Sequence, residues 1–176
     1  MKRLHKDQRG LTIIELLVVV ILTGLITAAI TTTFFQVFDM NTRTANHMSA
    51  LSQVQQAGKL VSQDILQAQA IEDSPPTGEF LILGWNITTV VHEVTYTLED
   101  GELWRSETID GGDPVHTRVA EYIDPTETNC CCDCDRDGYC DGSCGCDGGV
   151  VIFTVTATVG EESEQRIYRV QPRSGT

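Results

Sequence analysis

The stretch Leu11–Ile30 constrains this chain more than any other: twenty residues interrupted only by small Thr and Gly and by one acid, Glu15. At about 1.5 Å per residue, such a run is long enough as a helix to cross the apolar core of a bilayer. A cleaved export signal would show a shorter apolar core followed by a small-x-small site, and no such break occurs here. Lys2, Arg3, Lys6 and Arg9 precede the run, and acids dominate the chain beyond it. Residues 1–10 hold those four bases and one acid, Asp7. Their net of three positive charges, within a chain total of −13, leaves −16 on the remainder. That asymmetry predicts a single-pass anchor with its leader in the cytoplasm and its bulk outside. The acidic bulk would repel phosphates, which argues against nucleic acid as a direct partner. Glu15 is the anomaly, because a charge at mid-membrane costs about 2.5–3.5 kcal/mol and a plain anchor has no use for one.

After Phe35 the sequence becomes amphipathic rather than ending. Met48, Leu51, Val54, Gly58, Val61, Ile65 and Ala68 recur at steps of three and four, the signature of one helical face. The first proline is Pro75, so helix is predicted from about Leu11 to Ile71, stopped by Asp73-Ser74-Pro75-Pro76 and bending or loosening at Gly24 and Thr31-Thr32-Thr33. Beyond it the pattern predicts strands at Phe80–Trp85, Val90–Leu98, Glu102–Glu107, Val115–Ile123, Val150–Val159 and Gln165–Val170. Asp100-Gly101 is a hairpin turn, since Gly accepts positive φ without strain, and a second hairpin crosses Gly160-Glu161-Glu162-Ser163. The fold class predicted is α+β, a long N-terminal helix on a small antiparallel sheet. Its segments are a leader (1–10), a membrane-spanning helix (11–35), an amphipathic continuation (36–72) and an exported β domain (73–176) with a Cys/Asp-rich loop (124–149).

"RGLTIIELLVVVILTGLITAA" resembles the N-terminus of type IV prepilins and type II secretion pseudopilins. That family has a short basic leader ending in Gly, then an apolar helix with Glu at its fifth mature position. The resemblance implies cleavage after Gly10, methylation of the new amine on Leu11, and an assembly role for Glu15, which would pair with a neighbour's N-terminal amine. Leu11 stands where the family most often has Phe, a departure that bears on methylation more than on cleavage. "VTYTLEDGELWRS" and "RIYRVQPRS" are similar in texture to minor pilins and J-type minor pseudopilins. The partners implied are other pilin or pseudopilin subunits, a prepilin peptidase and an inner-membrane assembly platform. The place implied is the membrane, then a periplasmic or extracellular filament. The competing reading of Glu15 is a cap of the first helical turn, where negative charge suits the helix dipole.

All seven cysteines, Cys130, Cys131, Cys132, Cys134, Cys140, Cys144 and Cys146, fall in one short stretch. Outside a cytoplasm they would oxidise to local disulfides, with one left over and the pairing open. The same stretch contains Asp133-x-Asp135-x-Asp137-Gly138, the opening of a calcium loop of the EF-hand kind. Tyr139 would offer its carbonyl, Asp141 the next ligand, and Asp147 would stand in for the usual closing Glu, whose place Cys144 occupies. Zinc on Cys131-x₂-Cys134 and Cys140-x₃-Cys144 is a second reading, and a solvated acidic loop a third. His47, His92 and His116 form no nucleophile pattern with a Ser or Cys, and no phosphate-binding Gly loop follows a strand, so no enzyme is expected. Trp85 and Trp104 are expected in the sheet core, or as adhesion contacts if exposed. The function expected is a non-enzymatic filament subunit, minor in copy number. The rivals are an adhesive pilin displaying a calcium loop and a membrane-tethered metalloprotein.

Overall fold

The computed structural model describes residues 12–73, 80–133 and 149–173. Among these residues one helix and eight strands run in the order α1 (Ile13–Gln67), β1 (Ala70–Asp73), β2 (Leu81–Ile87), β3 (Val90–Glu99), β4 (Glu102–Ile109), β5 (Val115–Ala120), β6 (Asn129–Asp133), β7 (Val150–Val159) and β8 (Glu162–Val170). The α+β class read from the sequence is borne out. The chain divides into two compact units at Thr42/Arg43, inside α1.

In the first unit every described side chain is exposed, including Leu16, Leu22, Ile26, Phe34 and Phe38. This part of α1 is long and apolar enough to cross a membrane, and none of its apolar window is buried. Through Gly24 and Thr31-Thr32-Thr33, where it was expected to bend or loosen, the helix is unbroken, and each hydroxyl of the threonine run donates back to a carbonyl one turn earlier: Thr31 to Thr27 at 2.8 Å, Thr32 to Ala28 and Thr33 to Ala29 at 3.0 Å.

In the second unit the rest of α1 lies on two antiparallel sheets, not one, with strand orders β1-β2-β3-β4-β5 and β6-β7-β8. Ala50, Val54, Ala57, Gly58, Val61, Ile65 and Ala68 form the helix's share of a single core. The five-stranded sheet adds Leu81, Leu83, Val94, Tyr96 and Leu103, and the smaller sheet Val151, Phe153, Val155 and Ala157. The buried stripe keeps Val54, Gly58, Val61, Ile65 and Ala68 of the predicted face, and it differs at its start, where Ala50 is fully buried and Met48 is 61% exposed. The segment joining the sheets is tied to both, with the Ile123 amide on Gly101 O (2.8 Å) and the Asp124 amide on Thr156 O (2.9 Å).

Three further departures have physical causes. The helix predicted to reach Ile71 ends at Gln67, and Ala70–Asp73 becomes β1, because the Gln69 amide is captured by Gly84 O (2.8 Å) and β2 then offers a full ladder. Asn129–Asp133, predicted as loop, becomes β6, because β7 presents a matching edge from Val150 to Thr154. Trp104 is not in the core. It sits half-buried on the opposite face of the sheet from Leu103, as alternation along β4 requires, while Trp85 is in the core as expected. The Asp100-Gly101 hairpin is as predicted, with φ of 50° and 77° at the two turn residues.

Candidate assembly segment and acidic loop

Thr12 begins the helix. Its carbonyl accepts the Glu15 amide at 3.1 Å and the Leu16 amide at 3.2 Å, and its hydroxyl lies 3.4 Å from the Glu15 amide. Thr12-Ile13-Ile14-Glu15 thus has the spacing of a capping box, with Glu15 in the first turn where the helix dipole favours a carboxylate. Glu15 is exposed, and among the described residues no ion-pair partner faces its carboxylate. Gly10 and Leu11 lie outside the described residues. The capping alternative therefore has a geometric basis. It does not compete with a role in assembly, because the cap uses the Glu15 amide and leaves the carboxylate available.

The mouth of the Cys/Asp stretch is the end of β6. Cys130 is 6%, Cys132 0% and Asp133 3% exposed, on a strand paired along its length with β7. Cys131 and Cys132 each lie in a disulfide, and a Cys131 bonded in this way has no thiolate to offer the zinc reading. Of the proposed calcium ligands, Asp133 is the one described. Asp135, Asp137, Tyr139, Asp141 and Asp147 lie outside the described residues, as do Cys134, Cys140, Cys144 and Cys146. Among the described residues no group of three metal-ligating side chains converges.

A basic leader, Gly10 five residues before Glu15, and a capped apolar helix thus lie together at one end of the chain. Residues 5–31 match the prokaryotic N-terminal methylation motif. The motif is the prepilin-type leader, and it takes in Gly10, Leu11, Glu15 and the apolar turns up to Thr31. No curated protein and no solved structure matches the chain.

Downstream of the motif, the structure builds a polar cluster that the sequence reading missed. Asp64, 5% exposed on the core side of α1, accepts hydrogen bonds from Tyr96 Oη and Arg105 Nε, both at 2.7 Å. Arg105 Nη1 also donates to Glu107 at 2.8 Å, and Glu107 faces His92 Nδ1 at 3.4 Å. His92 in turn lies flat on Trp85, with centroids 5.5 Å apart and planes 5° apart. Burial, then the Asp64 charge, raises the Tyr96 phenol well above its ordinary value. The Arg105 hydrogen bond holds the Glu107 carboxyl below the usual carboxylate range. The cluster tethers helix to sheet. Arg105 and Glu107 are paired, and the Asp64 oxygen that meets Arg105 already accepts two hydrogen bonds. A sequence signal did exist: Asp64 is in phase with Val54, Val61 and Ile65 on the buried helical face, and Tyr96 and Arg105 share the inward phase of Val94 and Leu103. The remaining histidines are peripheral, with His47 2.9 Å from Glu164 and His116 exposed on β5.

Proposed function

We propose that this chain is a non-enzymatic subunit of a type IV pilus or type II secretion pseudopilus, minor in copy number, cut after Gly10 by a prepilin peptidase. The observation that carries the reading is the methylation motif on a helix whose first unit leaves every apolar side chain uncovered. Such a surface needs lipid before assembly and other helices after it. Cleavage would leave a cationic amine on Leu11. Inside a filament core, the Glu15 carboxylate of one subunit would meet the amine of a neighbour, and an opposite charge in place offsets most of the cost of burying either one. Mis-registered subunits would leave both charges unpaired, so the pair selects register, and head-to-tail contacts that do not close generate a helical filament. The assembly platform of the inner membrane would receive the subunit with its second unit outside.

The test is incorporation. Glu15→Ala should insert and be processed normally, as seen by an intact mass lacking residues 1–10, yet fall at least about tenfold in sheared filaments, because an uncompensated amine remains buried. Normal incorporation would sink the pairing, and an unprocessed wild-type mass would sink the whole reading.

A second reading is favoured by Asp133, a carboxylate held 3% exposed at the entrance to the Asp-rich stretch. It makes calcium the proposed ligand of Asp133, Asp135, Asp137, Tyr139, Asp141 and Asp147, with Kd on the order of 10⁻⁴–10⁻³ M, as in extracellular modules. Calorimetric titration of wild type and Asp133→Asn with Ca²⁺ decides it: equal heats in both, or none in either, discard the site.

A further inference from the structure

The outer face of the five-stranded sheet, turned away from the α1 residues of the core, carries a cleft of about 550 Å³. That is within the size range of small-molecule sites. The strand register assembles its floor in rows: Thr97 opposite Trp104, then Thr95, Ser106 and His116 side by side across three strands, with Thr108 beyond them on β4. Threonines alone would be ordinary on a solvated strand face, where β-branched side chains fit the pleat. A large indole there is different. Trp104 stands near the start of β4, half-buried, with Thr97 opposite it on β3 and Ser106 next on the same face of its own strand.

The chemistry of the lining excludes most ligand classes. Among the described residues, no Lys or Arg lines the cleft. Arg118, the register partner of Trp104 on β5, is held by Glu102 at 3.0 Å and Glu121 at 2.7 Å. Glu99 adds a negative charge at one end, on a chain whose net charge is −13, so phosphates and acidic sugars are repelled. The hydroxyls disfavour a purely apolar occupant, which would leave them without partners. What fits a flat indole among hydroxyls is a molecule with one face of C–H bonds and a rim of uncharged hydroxyls. The C–H face lies on the ring, and the rim exchanges hydrogen bonds with Thr95, Thr97, Ser106 and His116.

We propose that this cleft is a binding site for neutral saccharide, with Trp104 as the stacking platform. The proposal rests on the filament-subunit reading only for where the cleft would be displayed. Binding itself is a property of the single chain and is measured on it.

The experiment uses the full chain in mild detergent, titrated with chitohexaose, maltohexaose and laminarihexaose and with the anionic hexamer of galacturonate, followed by calorimetry and tryptophan fluorescence. At least one neutral hexamer should bind, and Trp104→Ala should weaken it by about tenfold or more, as expected for an aromatic at the centre of a contact. Thr97→Val and Ser106→Ala, which keep the side-chain shape, should each weaken it several-fold, so the result does not depend on Trp104→Ala folding well. No binding of any neutral hexamer at millimolar concentration overturns the proposal. So does preferred binding of the galacturonate hexamer, or an affinity unchanged in all three variants. Self-association through this face, seen as a concentration-dependent mass lost in Trp104→Ala, would assign the cleft to a second copy and overturn it too. Filament incorporation of Trp104→Ala is scored separately. If it equals wild type while binding is absent, the saccharide site alone has failed.

Discussion

Gly58 offers a sharp test of how α1 is held to the smaller sheet. A glycine in mid-helix is about 1 kcal/mol less favourable than alanine, so on propensity alone Gly58→Ala should stabilise. The structure reverses the sign. A Cβ at this position would fall on the Tyr168 ring, at Cζ and Cε2, and crowd its hydroxyl. That ring is held on two sides: its hydroxyl donates to Val54 O at 3.3 Å, and its face lies 6.1 Å from Phe153, which is fully buried. The ring must swing outward, losing a hydrogen bond of about 1 kcal/mol and an aromatic pair of about 0.5–1.5 kcal/mol. Against the propensity gain this leaves a net loss of about 1 kcal/mol, rising to about 3 if the ring cannot leave and the backbones separate instead. Once Tyr168→Ala has removed the ring, the same Gly58→Ala change should stabilise by up to about 1 kcal/mol. The assay is guanidinium unfolding of the full chain in mild detergent, followed by the emission of the buried Trp85, for both single variants and the double. A Gly58→Ala effect of the same sign and size in both backgrounds would refute the close approach as the reason for the glycine.

Asp64→Ala should cost about 1–3 kcal/mol in the same assay, since the buried Tyr96 hydroxyl loses its acceptor while Arg105 keeps only Glu107; a loss well below about 1 kcal/mol would show that water replaces it. Glu107, held below the ordinary carboxylate range by Arg105, contributes stability that is present above the unfolded value of about 4.3 and is lost as pH falls through its lower folded value. Acid unfolding followed by circular dichroism should therefore become less steep below about pH 4.3 in Glu107→Gln. Tyr96 and Tyr168 are both raised, by burial first, so their neutral forms belong to the fold and stability should fall as pH climbs past the ordinary phenol value of about 10. In a phenolate absorbance titration the fully buried Tyr96 should ionise only with unfolding.

What the sequence made legible was what local chemistry decides alone. Leu11–Ile30 could be little other than an apolar helix, and Asp100-Gly101 little other than a tight turn between alternating strands. The hidden parts depend on a distant partner. Ala70–Asp73 continues a helical pattern, and only the edge of β2 converts it into a strand. Asn129–Asp133 is bounded by Asn and Asp, poor strand formers, and becomes β6 because β7 presents a matching edge. Trp104 followed from alternation once the inward residue of β4 was known to be Leu103, whereas the apolar bulk of an indole favours the core, where Trp85 does lie. At the assembly segment, the Gly10–Glu15 spacing was readable, whereas the Thr12 cap needed coordinates. Asp64 was passed over because an acid on an apolar face reads as an interruption until Tyr96 and Arg105 are known to meet it.

The threonines of the first unit have one more consequence. Thr23, Thr27 and Thr31, at steps of four, each give their hydroxyl hydrogen to the helix's own backbone, at 2.7 Å for Thr23 and 2.8 Å for the other two. A polar group satisfied this way asks nothing of its surroundings. Hydrocarbon tails and neighbouring protein then look much alike to this surface. Moving the helix from one to the other requires no hydroxyl to give up a bond, and moving it back requires none to find one. In a subunit of the kind proposed, these hydroxyls would set no preference between a lipid and a protein neighbour.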